Sequence, residues 1–355
     1  MNHIKNIAKE LHNLGLDAML VTSEPGEFYA MGFHGEGVAF ITPQECWYYT
    51  DSRYIEAANQ EITGAHVDVL RSGQSYRQLV MSLVATHNVK KLGFEDEGMN
   101  VAQYKLWQEA LPGVELVPAS DLLTRLRMVK DEEELAVMRE AQRITDEAFT
   151  EILNYVKPGV TESEIAARLT YIMASKGAQR NSFDPIVASG ANGSKPHAVP
   201  GLSVIEKGQF VTMDFGCVVG GYCSDMTRTV AVGEPTDEMR LVYDTVLKAQ
   251  LAGIAAAHGG VTGDVVHNTA AKVIADAGYG EYFGHGFGHS LGIEIHENPR
   301  FSPFWTQTIP SGATLSAEPG IYLPGKFGVR IEDVLWLTDE GCVDITASPK
   351  DLIIL

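Results

Sequence analysis

The sequence predicts an α/β domain over residues 1–125, followed by an α+β domain over residues 126–355 with an internal pseudo-twofold repeat. Three observations carry that expectation. Helical and strand-like segments alternate through the first third of the chain. The remainder repeats a helix-and-strand pattern at a spacing of about one hundred residues. The chain also has the length of two domains, 355 residues, and enough apolar side chains, 45%, to bury two cores.

Taken in order, Ile4–Asn13 spaces its apolar residues as an amphipathic helix does, and Asp17–Val21 is short and apolar like a buried strand. Gly37–Thr42 and Cys46–Thr50 are rich in β-forming residues and can pair across Pro43-Gln44. A helical Ser75–Asn88, a strand Lys91–Phe94, a helical Val101–Leu111 and a strand Val114–Pro118 follow. This region concentrates no His, Cys and carboxylate together. Its Asp51, Asp96 and His34 read as surface or capping residues, and its expected role is support. The boundary falls near residue 125, where LLTRLRMVKD leads into a long helical pattern, Glu132–Tyr155.

Beyond it the chain repeats itself. Gly159–Gly177 matches Gly260–Gly278 at five of nineteen positions, and Lys207–Gly216 then parallels Ser311–Gly320, which puts Asp214 in register with Glu318. Each helical copy opens on a Thr suited to capping and closes on a Gly suited to a helix C-terminus.

Charge and composition exclude several functions. With 46 acidic and 27 basic residues the net charge is −19, which disfavours nucleic acid and anionic membrane as partners. No apolar run approaches the roughly eighteen residues of a membrane span, and the first residues read as an amphipathic helix rather than a signal peptide. Four scattered cysteines give neither a disulfide framework nor a zinc-type CxxC pair. The expected compartment is the cytoplasm.

The repeated strands each carry an acid, and each is followed by a hairpin that delivers a second. In VTMDFGCVVGGYCSDMTRT a two-residue Gly220-Gly221 turn sets Gly216 opposite Asp225, with Asp214 two residues along the same face. In EPGIYLPGKFGVRIED a three-residue turn, Pro324-Gly325-Lys326, sets Glu318 directly opposite Glu332. One acid on a strand is usually solvated or capped. Two same-face pairs at equivalent repeat positions, amid Val, Ile, Phe and Met, call for protons or hard divalent cations between them. Between the hairpins, GHGFGHSLGIEIHENPR supplies His285, His289 and His296. Its glycines argue for a strand or loop, and Gly286 after the first His excludes the helical metalloprotease motif. A fourth histidine, His197, lies in the glycine-rich SGANGSKPHAVPG, which lacks phosphate-loop spacing. One His with four carboxylates suits a dinuclear site for manganese, cobalt or zinc, able to bring the pKa of a shared water toward neutrality. The residues alone thus point to a two-metal hydrolase.

These segments, MDFG, SDMTRT, HGFGHSLG, EPGIY and RIED, resemble the pita-bread metallopeptidases: aminopeptidase P, prolidase and methionine aminopeptidase, with creatinase as a metal-free relative. The first third is similar to the smaller α/β domain of the proline-specific, creatinase-like members. The resemblance implies five metal ligands, Asp214, Asp225, His289, Glu318 and Glu332. Of these, Asp225, His289 and Glu318 would serve chiefly one ion, with Asp214 and Glu332 spanning or completing the other. It implies Glu318 as general base, and His197 and His296 as the residues that hold the substrate carbonyl. His285 is implied as a pocket-lining residue, and Tyr322 and Arg330 as residues that orient the ligands. The implied cofactor is two divalent ions, manganese first and cobalt or zinc as alternatives. The implied substrate is a small peptide with proline second, and the implied assembly a homodimer. Arg300 resembles the arginine with which prolidases hold a free carboxylate, which tilts the expectation toward dipeptidase over aminopeptidase P. A non-catalytic peptide-binding homologue would show degenerate ligands, and none of the five is missing.

Overall fold

The computed structural model describes residues 2–355, and the chain divides between Arg127 and Met128 into two units. The first begins α1 (Ile4–Leu14), β1 (Ala18–Val21), α2 (Glu24–Met31), β2 (Gly37–Ile41), β3 (Cys46–Thr50) and α3 (Ile55–Glu61). It continues β4 (His66–Val69), α4 (Tyr76–Thr86), β5 (Lys91–Phe94), α5 (Val101–Ala110), β6 (Glu115–Pro118) and α6 (Ser120–Met128). Its six strands form one sheet in the order β4-β3-β2-β1-β5-β6, and the β2–β3 pair runs antiparallel as the sequence predicts. Ala18, Leu20, Phe40 and Leu92 are fully buried in its core, which Trp107 on α5 closes. Elements the periodicity did not reveal are the short ones: α2, α3, β4 and α6. Helix α2 carries a weak pattern and is defined instead by Ser23, whose hydroxyl accepts the Gly26 N–H. Asp96 accepts the Ser120 N–H at the start of α6 (3.0 Å), Asp51 binds Arg53, and His34 lies exposed against Phe28.

The second unit opens with α7 (Glu132–Ile152) and α8 (Glu162–Ser175), then β7 (Arg180–Asn181), β8 (Ile186–Ser189), β9 (Gln209–Phe215), β10 (Cys217–Val219), β11 (Tyr222–Cys223) and β12 (Met226–Val232). After α9 (Asp237–Ala256) and α10 (Gly263–Asp276) come β13 (Gly288–Ser290), β14 (Glu297–Phe301), β15 (Thr314–Ala317), β16 (Gly320–Leu323), β17 (Phe327–Arg330), β18 (Asp333–Leu337) and β19 (Cys342–Asp344). Helix α7 stops at Ile152, short of the expected Tyr155, in a turn ahead of Pro158.

The repeat is visible in the packing. Ile144 and Phe149 on α7 and Leu169 on α8 pack on Val211 and Met213 of β9. Val246 on α9 and Ile274 on α10 pack on Leu315 of β15 and Val329 of β17. Gly177 and Gly278 end the equivalent helices α8 and α10 with positive φ, +105° and +87°. The caps at the other ends meet expectation in one copy only. Thr161 completes a capping box with Glu164, whereas the Thr262 side chain makes no cap bond, and Val265 three positions on has no side chain that could close a box.

Candidate metal centre

Two hairpins set the acids. Gly220 and Gly221, at φ +52° and +82°, make the two-residue turn between β10 and β11, in the left-handed region that such hairpins need. The same register runs on into β9 and β12, where Asp214 lies opposite Thr227 and Phe215 opposite Met226, so Asp225 falls opposite Gly216. In the second hairpin Pro324-Gly325-Lys326 joins β16 to β17, and Gly320 pairs with Arg330. Ala317 pairs with Asp333 in the next ladder at the same register, and Glu318 therefore faces Glu332 between the two ladders.

His289 enters from β13 and joins these acids. Ligating atoms of Asp225, His289 and Glu332 all lie within 4.8 Å of one another. His289 Nε2 is 3.3 Å from Glu318 Oε1 and 3.7 Å from Asp225 Oδ2. Asp214, His197, His285, His296, Arg300, Tyr322 and Arg330 line the same cavity of about 500 Å³, as do Asp225, His289, Glu318 and Glu332, so every candidate ligand, catalytic and pocket residue meets in one place. His285 precedes the short strand β13 rather than sharing it, yet its ring still reaches the cavity.

Hydrogen bonds hold the acids in position. Arg330 donates from Nη2 to Asp214 Oδ2 (2.6 Å), from Nη1 to Tyr322 Oη (3.0 Å) and from Nε to Thr227 Oγ1 (3.0 Å). Thr227 in turn donates to Glu332 Oε2 (2.6 Å). Ser316 Oγ donates to Glu318 Oε1 (3.0 Å) and accepts the His289 N–H (3.0 Å). His285 Nε2 lies 2.9 Å from Tyr322 Oη. Neither Asp214 Oδ1 nor Asp225 Oδ1, both buried, has a hydrogen-bond partner.

Electrostatics give the centre its chemical character. Burial, then the charges of Glu332, Asp214 and Glu318, push the Asp225 carboxyl well above its ordinary range. Burial followed by Glu318 and Asp214 does the same to Glu332, and burial also raises Glu318. Burial pushes His289 down to about 4, which leaves the neutral imidazole that ligates metals. Desolvation, His289 and Arg300 also lower His296. A cluster of acids that resist ionisation, two bare carboxylate oxygens and a neutral imidazole fit divalent cations.

Sequence reasoning missed three supports: Thr227, Arg228 and Ser316, the last bonded to both Glu318 and His289. Thr227 shares the face of Asp225 two residues on, so its signal was present in SDMTRT. Arg228, fully buried on the opposite face, donates to Glu332 O (2.6 Å), Asp333 Oδ1 (2.7 Å) and Ser348 O (2.7 Å). Its partners lie more than a hundred residues away, and no local pattern announces them.

A centre of this kind on a duplicated fold defines a class. The model of metallopeptidase family M24 matches residues 136–339, and that of the creatinase/prolidase N-terminal domain matches residues 3–129. The chain belongs to metallopeptidase family M24: it is a metallopeptidase with a creatinase-type N-terminal domain and a pita-bread catalytic domain, and the family implies divalent metals. An uncharacterised peptidase of Bacillus subtilis is 42% identical over 96% of this chain and 97% of its own. The solved Xaa-Pro dipeptidase from Bacillus anthracis superposes with a TM-score of 0.95 at 40% identity, covering 99% of each chain. The X-Pro aminopeptidase from Thermotoga maritima gives 0.92 at 34%, covering 98% of this chain and 100% of that one. No helix among the described residues is long and apolar enough to cross a membrane.

Proposed function

We propose that this metallopeptidase hydrolyses the bond between an N-terminal residue and a following proline in small peptides, with dipeptides preferred. The observation that carries the proposal is one cavity that holds both the acid–imidazole centre and Arg300. The Xaa-Pro dipeptidase named above is similar over the whole chain and supports the same substrate class.

In this reading Asp225, His289 and Glu318 hold chiefly one divalent ion and Asp214 and Glu332 complete a second site, with manganese as the native metal and cobalt or zinc as substitutes. Bound there, the ions supply Lewis acidity toward the scissile carbonyl and nucleophilic water near neutral pH. Glu318, oriented by Ser316, takes the proton of the attacking water and passes it to the proline nitrogen, which as a tertiary amide has no proton of its own. His197 and His296 donate hydrogen bonds to the carbonyl oxygen as it gains charge. His296, whose pKa is lowered, remains a neutral N–H donor at neutral pH. Arg300 pairs with the terminal carboxylate of a dipeptide, and Tyr322 and Arg330 keep the ligands oriented.

The four cysteines are all free thiols, which supports a cytoplasmic protein. The resemblance to proline-specific relatives supports a homodimer, and a monomer mass by light scattering would count against it. The decisive experiment supplies manganese, cobalt or zinc and compares an Xaa-Pro dipeptide with the matching Xaa-Pro-Yaa tripeptide. Faster turnover of the dipeptide is expected. Turnover of the longer peptide alone would favour the aminopeptidase activity carried by the Thermotoga maritima relative.

A further inference from the structure

The two helices of the repeat start in the same way, and each start is tied to a chain segment that reaches the cavity. Ahead of α8, Gly159 donates to Ile205 O (3.0 Å), Ile205 to Val160 O (2.8 Å), Thr161 bridges Val204, and Ser163 donates to Gly201 O (3.0 Å). Ahead of α10 the same ladder recurs. Gly260 donates to Ile309 O (2.7 Å), Ile309 to Val261 O (2.8 Å), Thr262 bridges Thr308, and Asp264 donates to Trp305 O (3.1 Å). The segment docked on α8 carries His197, and the one docked on α10 follows Arg300.

At the first residue of each helix the two copies part. Gly263 lets the backbone of β14 come so close that a Cβ there would fall 2.0 Å from Arg300 O. In the other copy the position is Glu162, whose side chain is buried and spans the wider gap. Its Oε1 accepts from Ser189 N (2.7 Å), Ser189 Oγ (2.9 Å) and Asn192 Nδ2 (3.0 Å), and its Oε2 from Asn192 Nδ2 (3.2 Å) and Gly201 N (3.3 Å). One carboxylate thereby ties the end of β8 to Gly201 and closes the loop that holds His197. A buried carboxylate is tolerated only with such a set of donors. The middle of the loop is fixed independently, where Arg330 Nη1 donates to Pro196 O (3.3 Å).

We propose that Glu162 is the positioning residue of His197: it touches no substrate and sets the loop so that the imidazole meets the scissile carbonyl. Gly263 does the equivalent for Arg300 by close approach instead of by hydrogen bonds. The proposal rests on His197 stabilising the oxygen that gains charge. Glu162→Gln keeps the side-chain volume but turns an amide N–H₂ toward groups that themselves donate.

The test is a kinetic cycle on the full-length, manganese-loaded protein with an Xaa-Pro dipeptide, using Glu162→Gln, His197→Ala and the double variant, with metal content measured for each. Glu162→Gln is expected to lower kcat on the order of 100-fold, the scale of a misplaced catalytic group, with metal content unchanged and KM within about twofold. In the His197→Ala background the same change is expected to lower kcat by less than about twofold, since the group it positions is gone. Asn192→Ala, which removes one donor pair, supplies the same cycle if Glu162→Gln does not fold, with a smaller loss. Equal fractional losses in both backgrounds would overturn the proposal, and so would an undiminished kcat for Glu162→Gln beside an impaired His197→Ala. Full turnover by His197→Ala would instead sink the assignment of His197, and the proposal with it.

Discussion

Arg330 and Asp214 form a buried ion pair, Nη2 to Oδ2 at 2.6 Å, in which one guanidinium orients a carboxylate whose other oxygen has no hydrogen-bond partner. The same guanidinium reaches Tyr322 and, through Thr227, Glu332, so acids from both hairpins share one cation. Replacing Arg330 by Met should therefore loosen both acids. We expect metal affinity to fall about 10- to 100-fold and stability to drop by about 3–5 kcal/mol. Metal titration and urea unfolding measure the two effects. Unchanged affinity would mean that the pair has no part in orienting the ligands.

Removing metal should lower the melting temperature, because Asp225, Glu318 and Glu332 then face one another without a cation. Chelation followed by thermal unfolding, and re-addition of manganese, reads this directly. A melting temperature indifferent to both steps would show that no cation belongs in the cluster.

Glu318→Gln removes the proposed base while keeping the shape of the side chain. Its kcat should fall by about 10²–10⁴-fold with the fold retained by circular dichroism. Turnover at the parental rate would refute the base assignment.

Arg300→Ala should discriminate by substrate. Loss of a charge-assisted pair is expected to reduce kcat/KM for an Xaa-Pro dipeptide by on the order of tenfold or more and to spare the corresponding amide. Equal losses on both peptides would detach Arg300 from the carboxylate.

In the N-terminal unit, burial of Glu27, partly offset by the Tyr48 hydroxyl that donates to it at 3.1 Å, raises its carboxyl to about 8. The folded value lies above the unfolded one, so the stability that this carboxyl contributes is fully present below about pH 4.5 and is lost as pH rises through about 8. Glu27→Gln should not titrate, and its stability relative to the parent should rise between pH 5 and 8. Parallel unfolding midpoints for variant and parent across that range would contradict the assignment.

The hairpin registers were legible in advance because side-chain alternation and turn length are local properties. Gly220-Gly221 and Pro324-Gly325-Lys326 are each enough to say which acids share a face. Thr262 misled because a hydroxyl at a helix start caps only when it meets the N–H three residues on: Thr161 and, ahead of α9, Thr236 make that bond and Thr262 does not, a difference that residue type alone does not encode. Arg228 and Glu162 carried no signal at all. A lone charged residue in a strand or at a helix start looks solvated until its distant partners, Asp333 or Ser189 and Gly201, are brought to it.

From sequence alone came the two-part α/β and α+β organisation, the repeat, and the pairs of acids with their intervening histidine, all encoded in periodicity and short-range spacing. Tertiary structure decided which of those groups are desolvated, which are tied to Arg330 and Thr227, and how close one hairpin lies to the other. Those outcomes depend on packing between segments about a hundred residues apart, where burial and proximity, rather than residue type, set the energy of a charge.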